Sequence, residues 1–150
     1  MPTAKLHATM STLLISGALS ACSQPTGKIS RDAEPFDDIA AHERIVMIGT
    51  EPFWNLAIRP LEQGYEAHYK VPDNPDGVRF ALSRFAGNNG LGFGGKLGEE
   101  DVQVALTPGQ CSDGMSDRTY PYTATVAIGP DLLLGCGYTD EQPFSGEEAP

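Results

Sequence analysis

The sequence is poor in the residue types on which several functional classes depend. It has three cysteines and three histidines among 150 residues, and His42 and His68 stand alone and far apart, without the spacing of zinc ligands. No stretch of a dozen residues keeps the apolar period of an amphipathic helix. Basic residues are scarce, 10 against 20 acidic ones, and the net charge of −10 disfavours nucleic acid. We therefore expect no metal, no cofactor and no nucleic-acid partner.

The N-terminal apolar run, residues 13–19, is too short to span a bilayer as a stable helix. It follows Lys5 and ends in Leu19-Ser20-Ala21-Cys22. This ending resembles the lipobox of bacterial lipoproteins, a large apolar residue, two small ones and the cysteine. The resemblance implies that residues 1–21 are a signal peptide and that Cys22 is acylated, with palmitate or a similar chain. The alternative is an ordinary secretory signal peptide with a leftover cysteine.

The residue after the cysteine indicates where such a lipoprotein resides. Ser23 stands where an aspartate usually retains lipoproteins in the inner membrane, so the same resemblance implies the outer membrane, facing the periplasm. Residues 22–42, rich in proline, serine and acidic side chains, are predicted to be the lipidated N-terminus and a flexible linker.

The charge of the processed chain indicates the kind of partner it favours. Residues 1–21 hold one lysine and no acidic residue, so their removal changes the net charge from −10 to −11. This charge favours a basic protein partner, such as a lysozyme, although it could serve solubility alone.

The two cysteines left after Cys22 are predicted to pair. In an oxidising periplasm, two cysteines in a small domain usually form a disulfide, here Cys111 with Cys136. The chain-entropy model gives such a loop roughly 3.5 kcal/mol of stabilisation. We therefore expect this bridge to supply a large part of the domain's stability.

Short segments of alternating polarity predict about eight strands between residues 43 and 140. Trp54, Leu56 and Ile58 share one face, which places the only tryptophan in the core. Residues 72–77 are predicted to be a turn, Asn88 to Gly90 a hairpin, and residues 141–150 a disordered tail. This pattern favours an all-β fold, a small antiparallel barrel of about eight strands, with a two-sheet β-sandwich as the alternative.

Two motifs carry a family resemblance. Gly49-Thr50-Glu51-Pro52-Phe53-Trp54-Asn55 (the 49–55 motif) and Cys111-Ser112-Asp113-Gly114-Met115-Ser116-Asp117 (the 111–117 loop), together with Gly135-Cys136, resemble a family of uncharacterised bacterial envelope lipoproteins. The architecture is also distantly similar to META-type and membrane-bound lysozyme inhibitor domains. These resemblances imply a non-enzymatic binding or envelope-stress module. The alternatives are an inhibitor of basic lysozyme-type cell-wall hydrolases and a small-ligand binder in the barrel mouth.

The polar residues of the 111–117 loop allow three interpretations. A serine nucleophile needs a neighbouring base, and neither His42 nor His68 lies in a recognisable catalytic context. Asp113 and Asp117 could bind calcium weakly, but the ligand spacing of an EF-hand is missing. The third interpretation, side-chain-to-backbone turns, is favoured.

Glu51, beside two aromatic residues, could pair with Arg59 or Arg118, meet a ligand, or accept backbone hydrogen bonds. If both motifs lie at one end of the barrel, they form a single site. The predicted binding residues are Glu51, Trp54, Ser112, Asp113, Met115, Ser116 and Asp117.

Overall fold

The computed structural model describes residues 39–87 and 89–146. The predictions for the signal peptide, for Cys22 and for the linker up to residue 38 lie outside the described residues. Asn88 of the predicted hairpin and residues 147–150 of the predicted tail also lie outside them.

The described chain forms a closed, all-antiparallel barrel of eight strands, which confirms the predicted fold class. Each strand pairs with the next along the chain, and β1 pairs with β8 to close the sheet. Closure pairs every strand on both sides and leaves no exposed sheet edge. The strands are β1 (Ile45–Thr50), β2 (Phe53–Pro60), β3 (Tyr65–Val71), β4 (Asn74–Ala86), β5 (Leu91–Leu97), β6 (Glu100–Cys111), β7 (Tyr120–Ile128) and β8 (Asp131–Thr139).

Alternate residues of the strands fill the interior of the barrel. In β2, Trp54, Leu56 and Ile58 are buried, as their spacing predicts. In β6, the same alternation buries Val102, Val104 and Leu106. These side chains join one hydrophobic core, whose buried members all lie between residues 39 and 133. A chain that begins at residue 22 therefore contains every core residue of the described part of the chain.

The turn predicted over residues 72–77 is shorter than expected, and the connection between β1 and β2 is tight as well. Strand β1 continues through Thr50, because Gly49 and Thr50 pair with Trp54 and Phe53, so only residues 51 and 52 separate the two strands. Strand β4 begins at Asn74, which pairs with Val71 across a register shift. The predicted six-residue turn is thus a two-residue turn followed by a strand.

Gly77 explains how β4 begins so early. Its φ of +70° lies in the left-handed region that favours glycine, and the Asn74 side chain accepts a hydrogen bond of 3.2 Å from its N–H. The turn-forming residues that predicted a loop here instead shape an irregular strand start.

The end of the predicted linker packs onto the barrel. Ile39 is fully buried in the core, and its carbonyl oxygen accepts a hydrogen bond of 3.0 Å from Arg84. The hydroxyl of Tyr65 donates a hydrogen bond of 2.9 Å to the carbonyl of Ala41. Residues 39–41 therefore pack against the barrel rather than lead to it, whereas His42 is exposed.

Residues 141–146 also differ from expectation, since we predicted a disordered tail from residue 141. Ser145 exchanges backbone hydrogen bonds with Thr119. The Phe144 ring lies 5.4 Å from that of Tyr120 and 5.2 Å from that of Tyr138. Aromatic packing and strand-like pairing hold this segment although its composition is typical of a loop.

Candidate functional site

The two sequence motifs meet at one end of the barrel. The hydroxyl of Thr50, at the end of β1, donates a hydrogen bond of 3.2 Å to the carbonyl oxygen of Asp113, just after β6. Strands β7 and β8 lie between β6 and β1 in the sheet, so the 111–117 loop passes both of them to reach β1. This contact makes the two motifs parts of a single site.

The disulfide explains how the loop reaches β1. Cys111 and Cys136 are bridged, as predicted, with their Cα atoms 5.5 Å apart. Cys136 lies in β8 directly opposite Ile48 of β1. The bridge therefore fixes the end of β6 beside the strand that carries the 49–55 motif.

Asp113 holds the 111–117 loop in shape through its carboxylate. One oxygen accepts hydrogen bonds from the N–H groups of Met115 (3.0 Å) and Ser116 (2.9 Å). The other accepts from the hydroxyls of Ser116 (2.8 Å) and Tyr120 (3.1 Å). Burial would raise the pKa of Asp113, but these hydrogen bonds outweigh it and lower the pKa to about 2. Asp113 is therefore an ionised structural acceptor.

The two serines of the loop also take part in turns. Ser112 Oγ accepts a hydrogen bond of 3.1 Å from the N–H of Gly114, and Ser116 Oγ accepts one of 3.2 Å from that of Arg118. The histidines bond elsewhere, His42 with Glu141 and His68 with the carbonyl of Asp76. Within residues 39–87 and 89–146, no three His, Cys, Asp or Glu side chains gather as a metal-ligand set. These contacts support the turn-forming interpretation.

Trp54 is 3 % exposed and packs over two glycines, Gly49 of β1 and Gly135 of β8. A Cβ at Gly49 would overlap the indole nitrogen, and one at Gly135 would meet both the indole ring and the backbone of Ile48. Its Nε1 has no hydrogen-bond partner in the described part of the chain. The glycines thus provide the space that seats the indole at this end of the core.

An open, mainly apolar cavity of about 430 Å³ lies between the two motifs. Phe53 and Met115 line this cavity, and 52 % of the surface of Phe53 and 63 % of the surface of Met115 are exposed. Asn55 and Lys70 provide polar groups in the wall. The complete lining is Ile48, Gly49, Thr50, Phe53, Trp54, Asn55, Lys70, Val71, Pro72, Asp113 and Met115.

A second cleft of about 280 Å³ adjoins the first around the disulfide. It shares Thr50 and Asp113 with the larger cavity and adds Ser112 and Leu134. Leu134 is 64 % exposed, so apolar surface continues from the cavity onto β8. Together the two clefts form a continuous depression along the outside of the barrel end, next to the filled interior.

The structure brings together only some of the predicted site residues. Trp54, Asp113 and Met115 line the cavity, and Ser112 lines the second cleft. Ser116 belongs to the turn that shapes the loop, and Asp117 is exposed.

Glu51 forms neither of the two pairings considered for it, and the favoured role as an acceptor for backbone donors is not found among the described residues either. Glu51 is exposed and, in the part of the chain that the structure describes, forms no hydrogen bond or ion pair. Arg59 binds Glu66 instead, at 2.8 Å, and the guanidinium of Arg118 lies 4.3 Å from the ring centroid of Phe144. Both arginines are engaged by partners that strand register and the C-terminal segment place beside them.

Sequence reasoning missed two parts of the cavity. Phe53 could have been found, because it alternates with the inward Trp54 and must face outward at the strand end. Residues 70–72 carry no such local pattern. They line the cavity because the end of β3 lies opposite the start of β2.

No family model, no curated protein and no solved structure matches this chain. Nor do residues 39–87 and 89–146 contain a helix with the length and apolarity needed to span a membrane.

Proposed function

We propose that this protein is a non-enzymatic binding module of the bacterial envelope, anchored by lipid on Cys22. Its ligand places an apolar group in the cavity between the 49–55 motif and the 111–117 loop. The observation that carries the proposal is the convergence of both motifs on one open apolar cavity of about 430 Å³. Exposed, contiguous apolar surface of this kind is typical of a binding site.

The polar groups of the site support binding rather than catalysis. The Asp113 carboxylate accepts hydrogen bonds from two backbone N–H groups and two hydroxyls, and a pKa of about 2 makes it a poor proton acceptor at neutral pH. Ser112 and Ser116 serve as acceptors in turns. The groups that could perform chemistry therefore maintain the shape of the loop.

The lining residues indicate the class of ligand. Phe53 offers a rigid aromatic face, and Met115 offers a flexible thioether that adapts to different apolar shapes. Lys70 adds a cationic group beside them. This combination suits an acyl chain with an acidic end, or the apolar side chains of a partner segment that carries a carboxylate.

Trp54 provides the readout for the first test, because it is the only tryptophan and lines the cavity. The chain from residue 22 with Cys22→Ala is titrated with decanoate while tryptophan emission is recorded. We expect a saturable change in emission, and Met115→Asp should weaken the binding at least about tenfold by placing a charge in the apolar wall. Leu132→Asp is the matched control, since Leu132 is equally exposed, at 65 %, but lies outside the cavity lining.

Equal affinities for the two variants would contradict the assignment of the site. If decanoate does not bind, the same titration with an apolar peptide that ends in a carboxylate tests the other ligand class. An unchanged emission with both probes would overturn the proposal.

A second candidate function is inhibition of a basic lysozyme-type hydrolase. It is favoured by the net charge of −10 and by the exposed 111–117 loop, which carries the exposed Asp117. Such charge would mainly accelerate association with a basic enzyme. A cell-wall lysis assay with hen-type lysozyme tests this candidate, with Asp117→Asn as the variant that should inhibit more weakly. Undiminished lysis at a large molar excess of the protein would exclude it.

A further inference from the structure

The outer face of β2, β3 and β4 carries positive charge on an acidic protein. Four of the seven lysines and arginines within the described residues, Arg44, Arg59, Lys70 and Arg79, lie on or beside this face. A cleft of about 280 Å³ opens among them, lined by Arg44, Ala57, Arg59, Glu66, His68 and Arg79. The cleft shares no lining residue with the cavity between the two motifs.

Strand register assembles the cleft. Arg59 of β2 lies directly opposite Glu66 of β3, and His68 lies opposite both Ala57 and Arg79. Side chains two residues apart on a strand share a face, so these groups all point outward together. Ala57 is much smaller than its neighbours, and its short side chain leaves the space between them.

Glu66 holds the two arginines in fixed positions. One of its oxygens accepts hydrogen bonds from Arg59 Nε (2.9 Å) and Arg79 Nη1 (3.0 Å), and Arg59 Nη2 approaches it to 2.8 Å. The hydrogen bond from Arg59 is the main cause that lowers the pKa of Glu66, and Arg79 adds to it. Glu66 is thus an ionised positioning group between two guanidinium groups.

The arginines keep donors for a ligand. Arg59 Nη1 and Arg79 Nη2 have no hydrogen-bond partner within residues 39–87 and 89–146, and the two side chains are 57 % and 54 % exposed. His68 Nε2 donates to the carbonyl of Asp76 at 2.8 Å, because a carbonyl only accepts. Three arginines against one glutamate leave the lining with an excess of two positive charges, although Asp140 lies 3.5 Å from Arg44 at the rim.

We propose that this cleft binds a phosphoryl group, with Arg59 and Arg79 donating to its oxygens and Glu66 positioning them. A tetrahedral phosphate presents its oxygens in several directions, so it can accept from both arginines at once more readily than a single planar carboxylate can. Guanidinium groups donate paired hydrogen bonds to phosphate, with both geometric and electrostatic fit. The phosphoryl group belongs either to a soluble phosphorylated compound or to the headgroup of an anionic lipid.

The first experiment titrates inorganic pyrophosphate into the chain from residue 22 with Cys22→Ala and follows the arginine Nε–H resonances by NMR. We expect saturable shifts at Arg59 and Arg79. Arg59→Gln and Arg79→Gln should each weaken binding about tenfold or more, as expected for the loss of a hydrogen bond between charged groups. Lys96→Gln is the control, since Lys96 pairs with Asp101 outside the cleft and is similarly exposed.

The second experiment distinguishes the two sources of phosphate. The same four proteins are mixed with phosphatidylglycerol vesicles and with neutral phosphatidylcholine vesicles, and co-sedimentation is measured. Binding to phosphatidylglycerol vesicles but not to phosphatidylcholine vesicles, with loss of this binding in both arginine variants, supports a lipid headgroup as the source of the phosphoryl group. Pyrophosphate binding without vesicle binding supports a soluble compound. Failure of both probes, or equal affinities for the arginine variants and the control, would overturn the proposal, with thermal unfolding confirming that each variant is folded.

Discussion

The hydroxyl of Tyr120 donates a hydrogen bond of 3.1 Å to the carboxylate of Asp113 and ties the 111–117 loop to the start of β7. Tyr120 is almost fully buried and also packs against Tyr138 and Phe144. The loop that lines the candidate site is thereby connected to the C-terminal segment of the barrel. This connection makes the loop's shape sensitive to a single carboxylate.

Replacement of that carboxylate should destabilise the protein. Asp113→Ala removes the acceptor of four hydrogen bonds, and we expect the free energy of unfolding to fall by about 2 kcal/mol. Urea denaturation measures the change. Asp117→Ala is the control, because Asp117 is an exposed carboxylate of the same loop and its loss should cost less than about 0.5 kcal/mol. Equal losses would show that the Asp113 hydrogen bonds do not hold the loop.

The same carboxylate predicts a pH dependence. The pKa of Asp113 is about 2 in the folded protein against an ordinary value of 3.8, so the folded state binds this proton less tightly than the unfolded state. The lowered pKa stabilises the folded protein. This stabilisation is fully present at pH values well above the ordinary pKa of the carboxyl group, and it is lost as the pH falls from about 5 towards 2. Unfolding curves over this range should show a steeper decline for the native sequence than for Asp113→Asn. Parallel curves would contradict the lowered pKa.

Loss of the disulfide should lower stability and loosen the site. The double substitution Cys111→Ala and Cys136→Ala should reduce the free energy of unfolding by roughly 3.5 kcal/mol and the melting temperature by at least several degrees. Differential scanning calorimetry measures this. Cys22→Ala is the control and should leave the melting temperature of the barrel unchanged. A native protein whose Cys111 and Cys136 react with a thiol reagent would disprove the bridge.

The glycine beneath Trp54 should not accept a side chain. In Gly135→Ala the new Cβ meets the Ile48 carbonyl and the indole ring, so we expect a loss of about 2 kcal/mol or more and a red shift of the tryptophan emission. Gly94→Ala is the matched control, because Gly94 also lies in a strand and no atom stands within 4 Å of the position that its Cβ would take. If both variants behave alike, the close packing of Trp54 on Gly135 is disproved.

The proposed lipid anchor at Cys22 predicts the distribution of the protein between membrane and soluble fractions. Cys22→Ala should release the protein from the membrane pellet, because in the proposal the acyl chain on Cys22 is its attachment. Immunoblots of separated fractions and labelling with radioactive palmitate measure this. Ser23→Ala keeps the cysteine and should remain in the pellet. Continued sedimentation of Cys22→Ala with membranes would refute the lipobox assignment.

The sequence was sufficient for those features that depend on near neighbours. Alternation in β2 placed Trp54 and Leu56 inside, because successive side chains of a strand point to opposite faces. The cysteine count predicted the bridge between Cys111 and Cys136. Composition was misleading where turn-forming residues occupy a strand, as at Asn74, and where Phe144 holds a segment rich in proline and acidic residues.

Tertiary structure alone decided which of these local features meet. The sequence by itself determined the strands, their inward faces and the two motifs, since each depends on residues a few positions apart. Only the pairing of β1 with β8, which sets Ile48 opposite Cys136, brings the 111–117 loop to Thr50. Only the register of β2, β3 and β4 gathers Arg59 and Arg79 around Glu66. Such pairings join residues far apart in the chain, and their register follows from closing the whole barrel around one core.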